Sequence, residues 1–113
     1  LKLTRATEAN LSQICGLYPD PNNEICDMIE QAVAGQQGLV AIDHLGVKHT
    51  MWPITDISVI NRVAAAVQNL PMFVADGHHR YETACNYRDE KIKATGKELD
   101  RPDPANFVLT MLV

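Results

Sequence analysis

The apolar positions of the chain fall into short blocks with distinct periods. Ile25, Met28, Ile29, Ala32 and Val33 stand at i, i+3, i+4, i+7 and i+8, one face of a helix. Before them, Tyr18-Pro19-Asp20-Pro21-Asn22-Asn23 spells a loop, with Asn22 or Asn23 placed to cap the helix. Gly35 occupies the position that ends it. Leu39–Ile42 and Val47–Trp52 predict two strands joined at Asp43-His44-Leu45-Gly46, whose Asp and Gly suit a type I turn with a glycine bulge. Pro53 lacks an N–H and closes the second strand. Thr55 or Asp56 then caps a helix with Ile57, Ile60, Val63, Ala64 and Val67 as its inner face, stopped at Asn69-Leu70-Pro71. Residues 1–18 carry the weakest pattern; Ala6 to Leu17 predicts a helical turn or two.

Met72–Ala75 is a short apolar run, the pattern of a buried strand, and it breaks at Asp76-Gly77. From there to Gly96 the chain is charged and free of Gly and Pro, which predicts a long helix. Tyr81, Ala84, Cys85 and Ile92 lie on one side of it, with Arg88 among them. After the polar loop Gly96–Pro104, the continuous apolar run Phe107–Val113 predicts a strand buried on both faces. The strand, helix and strand form a unit whose strands should be parallel or one neighbour apart. The expected class is α/β, with α+β as the alternative: a small mixed sheet with packed helices.

Composition narrows the function. The 113 residues, 46% apolar and 21% charged, suit one domain or part of one. The chain opens at Leu1 and stops at Val113 inside an apolar run, so the expectation is a piece of a longer protein. A net charge of −4 without basic runs argues against a nucleic-acid or anionic-membrane surface. No apolar run is long enough to span a bilayer, and no basic-then-apolar leader pattern occurs, so the expected location is cytoplasmic. Cys15, Cys26 and Cys85 are odd in number without CxxC spacing and read as reduced thiols.

The candidate chemistry concentrates at Asp76-Gly77-His78-His79-Arg80, where a strand hands over to a helix. Gly77 allows positive φ and close approach of a ligand to the backbone. The first N–H groups of the helix, those of His78, His79 and Arg80, have no intrahelical partner and lie at the positive end of the dipole. Arg80 can form a two-pronged contact with phosphate, and His79 can assist. Asp76 or His78 can serve as base, or Asp76 as support for Mg²⁺. The bland alternative is a turn that merely starts a helix. Adjacent histidines without a third ligand do not predict a metal site. Neither a Walker loop nor GxGxxG is present, Ser12 and Ser58 sit in no GxSxG elbow, and Cys85 reads as a structural thiol.

The stretch Phe73-Val74-Ala75-Asp76-Gly77-His78-His79-Arg80-Tyr81-Glu82-Thr83-Ala84 resembles the signature of domain of unknown function 1015, a large family of uncharacterised prokaryotic proteins. Leu17–Asn23, Trp52–Asp56, Asn86–Glu90 and Pro104–Val108 agree with it in order, so the likeness covers nearly the whole chain. Gly77–Glu82 is also similar to the Gly-Cys-His-Arg-Tyr-Glu segment of sulfiredoxins and to the Asp-Gly-His-x-Arg segment of free-serine kinases. With the ParB proteins, these share a fold whose helix N-terminus binds nucleotide phosphates. That resemblance implies a ParB/sulfiredoxin-like fold, phosphate contacts from His79 and Arg80, and a kinase-like pattern at Asp76 and His78. His78 stands where sulfiredoxin chemistry needs a cysteine, and the basic helical domains of ParB are missing. The resulting expectation is a nucleotide-dependent phosphotransferase acting on a small hydroxyl-bearing molecule, with Mg²⁺ accompanying the nucleotide. Its alternative is a non-catalytic sensor or scaffold that binds a nucleotide or another anion.

Overall fold

A computed structural model describes all residues 1–113. The chain is mixed α/β, with four α-helices and two small sheets. It forms two compact units, Leu1–Tyr18 with Met72–Val113, and Pro19–Pro71.

The first unit holds α1 (Lys2–Thr7), β1 (Ile14–Leu17), β4 (Phe73–Asp76), α4 (His78–Thr95), a 3-10 turn at Pro104–Asn106 and β5 (Thr110–Leu112). Its sheet has the order β4-β1-β5, with β1 antiparallel to β4 and parallel to β5. The central strand therefore comes from Ile14–Leu17, and the helix expected across Ala6–Leu17 gives way to α1, a turn and a strand. β4 and β5 are separated by one neighbour, as one of the two expected arrangements has it. They run in opposite directions, so the parallel arrangement does not form. Both are edge strands with exposed side chains: Phe73 is 64% exposed and Met111 45%. The burial expected for Met72–Ala75 and Phe107–Val113 does not occur, because only β1 has neighbours on both sides. Leu17 and Phe73 are paired across β1 and β4, and Met111 pairs with Cys15. All three large side chains remain exposed. Ile14 is fully buried, and Gly16 leaves room for Met72 and Leu112: a Cβ there would stand 2.8 Å from Met72 Sδ and 3.2 Å from Leu112 Cδ2.

In the second unit α2 (Glu24–Val33) packs against α3 (Ile57–Val67), and β2 (Leu39–Ile42) pairs antiparallel with β3 (Lys48–Met51). Ile25 is the buried anchor of α2, as its period requires. The cap differs from expectation. Asn23 adopts a left-handed conformation without a side-chain cap, and Asp20 Oδ2 accepts instead from the N–H groups of Ile25 and Cys26, at 3.1 and 3.2 Å. In α3 the buried residue is Val59, while Ile57 and Ile60 are exposed, so the inner face is turned from the expected one and runs through Val59, Val63, Ala66 and Val67. The hairpin turn forms as expected. Gly46 has φ 80°, its N–H donates to the Asp43 carbonyl at 3.0 Å, and Asp43 Oδ1 accepts from Leu45 and Val47. Trp52 donates from Nε1 to the Gln36 carbonyl at 3.2 Å. The three cysteines form no disulfide, and no helix is long and apolar enough to cross a membrane.

Candidate functional site

The turn between β4 and α4 assembles the five predicted residues within one segment. Gly77 is its geometric requirement. Its φ of 85° disfavours any side chain, and a Cβ would come within 3.0 Å of Ile14 Cα and 3.2 Å of Arg80 Nε. The closely packed turn thus sits directly against the central strand, whose Ile14 has no room to retreat.

Three other short-range starts in the molecule are closed by aspartates. Asp20 accepts from the first turn of α2. Asp56 accepts from the N–H and hydroxyl of Ser58 at the start of α3, each at 2.8 Å. Asp103 accepts from Ala105 at 2.8 Å at the 3-10 turn. The hydrogen bonds to Ser58 hold the Asp56 carboxyl below its ordinary range, and the Ala105 N–H does the same for Asp103. At α4 no side chain caps the helix, and its first turn contains no acidic residue. The first intrahelical bond from this end is Tyr81 N–H to the Gly77 carbonyl at 3.0 Å, leaving the amides of His78, His79 and Arg80 directed out of the helix.

Asp76 stands one residue too early to cap. Its Oδ2 accepts from Arg80 Nη2 at 3.2 Å, while Arg80 Nη1 donates to the Gln13 carbonyl ahead of β1. Arg80 therefore braces β4 to the approach of β1, a structural role that the sequence did not disclose. His79 is fully exposed, its Nδ1 3.6 Å from Glu82 Oε2, and His78 is exposed as well. Asp76, offered as a base, is engaged with a guanidinium, whereas His78 stands open.

No group of three His, Cys, Asp or Glu side chains converges anywhere in the chain. At this turn a single carboxylate, already on an arginine, does not fit a protein-held Mg²⁺.

A groove of about 260 Å³ opens beside the turn, with His79, Arg80, Thr83 and Ala84 on the α4 side and Asn10, Leu11 and Ser12 on the other. Sequence reading missed the second wall, because residues 9–12 carry no periodic signal and reach α4 only through the fold.

No curated protein and no solved structure matches the chain. Over residues 1–113 it matches the family described as "Protein of unknown function (DUF1015)", and it belongs to that family.

Proposed function

We propose that this chain binds a phosphate-bearing small molecule, a nucleotide in the first instance, at the turn Asp76–Arg80. The observation that carries this reading is the open start of α4, an 18-residue helix led by Gly77 with no capping side chain. Three outward amides at the positive end of a helix, beside a guanidinium and an exposed imidazole, form a favourable setting for phosphate oxygens. Arg80 spends two of its five N–H donors on Gln13 and Asp76, which fixes the guanidinium and leaves donors for the ligand. The resemblance to free-serine kinases and sulfiredoxins supports a nucleotide as the source of the phosphate.

Exposed His78, next to the same amides, favours phosphotransfer as the second reading. In that step His78 takes the proton of a substrate hydroxyl as its oxygen bonds to the terminal phosphorus of a nucleoside triphosphate. The bond to the bridging oxygen breaks, and the nucleoside diphosphate leaves.

The test is calorimetric titration of inorganic phosphate and ADP into the wild type and Arg80→Ala. The reading expects saturable binding that weakens at least about ten-fold in the variant. Absence of binding by both ligands to the folded wild type contradicts it. ATP turnover with a hydroxyl acceptor, lost in His78→Ala while ADP binding persists, separates the enzyme from a sensor.

A further inference from the structure

The groove beside Arg80 does not end there. A second cavity of about 200 Å³ adjoins it along α4, sharing Thr4, Ala9, Asn10 and Ala84 with the first, and the two line up as a trough. Ala84, which lines both, is a small side chain between Arg80 and Arg88 on the same row of the helix.

The two ends differ in chemistry. At the near end stand His79, Arg80 and the open amides of α4. At the far end stand Tyr87 and Phe107, the latter 60% exposed although aromatic. The one cation at that end, Lys91, is occupied by Asp103 at 3.2 Å, so a second anionic group finds no match there. The walls on the Arg80 side mix Asn10, Ser12 and Thr83, which can meet hydroxyls, with Leu3, Leu11 and Val108, which can meet the carbon skeleton of a sugar. From His79 to Tyr87 is eight residues, about 12 Å along the helix axis. That span is comparable with the reach of a nucleoside diphosphate and far exceeds that of free phosphate or a sugar phosphate.

We infer that the trough along α4 holds the nucleoside of a nucleotide, its sugar passing Ala84 and its base lying against Tyr87 and Phe107. This rests on the phosphate site proposed above and assigns Ala84 and Phe107 as residues that select what the phosphate is attached to. Charge complementarity fixes the orientation, because only the Arg80 end offers unspent donors to phosphate.

The experiment compares inorganic phosphate, adenosine and ADP by calorimetric titration of wild type, Ala84→Trp and Phe107→Ala. Phe107 is largely exposed, so its truncation leaves the fold intact even where Ala84→Trp does not. ADP is expected to bind more tightly than phosphate. Phe107→Ala should weaken ADP about five-fold or more through lost stacking, and Ala84→Trp should weaken it further by filling the trough. Phosphate affinity should stay within about two-fold in both. If phosphate binds but ADP binds no more tightly, or if neither variant changes ADP, the trough is not a nucleoside site although the phosphate reading stands. If neither ligand binds, both fall. If wild type sediments as a dimer that Ala84→Trp or Phe107→Ala dissociates, a second copy of the chain fills the trough and the inference is overturned.

Discussion

The starts of α3 and α4 use the same acid one residue apart, to opposite effect. Asp56 is the N-cap of α3, and its carboxylate closes the helix by accepting from Ser58. Asp76 precedes the N-cap position of α4, which Gly77 fills, and its carboxylate turns to Arg80. In the first case the acid consumes a helix donor; in the second it positions a cation and leaves the donors outward. A one-residue shift is enough to turn a capped helix start into an open one.

Replacing the glycine should break the contrast most strongly. Gly77→Ala places a Cβ against Ile14 Cα at 3.0 Å on a backbone with φ 85°. The expected loss is about 2–4 kcal/mol, from left-handed strain and overpacking, read by chemical denaturation. Next, Asp56→Ala should lower the melting temperature by uncapping α3, whereas Asp76→Ala removes no cap from α4 and should change mainly phosphate affinity. Equal destabilisation by the two would show that the acids do the same work. His79→Glu adds an acid to the first turn of α4. It should raise the melting temperature slightly through the helix dipole while abolishing phosphate binding, so stability and binding move in opposite directions.

The smallest effect is acid sensitivity at the aspartate-closed elements. The Asp43 carboxyl lies below its ordinary value of 3.8, held first by the hydrogen bond with His49 at 2.9 Å and then by the Val47 N–H. The Asp56 carboxyl is likewise held below its ordinary value, first by the Ser58 hydroxyl and then by the Ser58 N–H. A carboxyl depressed in the folded state contributes stability above its unfolded pKa and loses it as pH falls through the folded one. The hairpin turn and the start of α3 should therefore loosen below about pH 3.8, seen as loss of amide protection at Leu45, Val47 and Ser58.

The local features were legible in the sequence. The period of Ile25, Met28 and Val33, the Asp43–Gly46 turn, and the strand-to-helix break at Asp76-Gly77 each lie within a few residues, and each formed. β1 was not legible. Ile14-Cys15-Gly16-Leu17 has a glycine inside it and no alternation, and it becomes a strand only through partners at 73–76 and 110–112. Once β1 takes the centre, β4 and β5 become edges, which is why two apolar runs that look buried are exposed. The rotated face of α3 has a similar cause, since Val59 and Ile60 are both apolar and only the contact with α2 chooses between them. At the candidate site all five residues could be named from the sequence. The brace from Arg80 to Gln13 could not, because it joins residues 67 positions apart.

The most direct measurement of the central claim is an amide-resolved NMR titration of the wild-type chain with ADP. The account predicts that the largest, saturable shifts fall on the N–H groups of His78, His79 and Arg80, with the amides of Ile25, Ser58 and Ala105, already taken by aspartates, unmoved. Shifts absent from those three amides at saturating ADP, or spread equally over the capped helix starts, would contradict it.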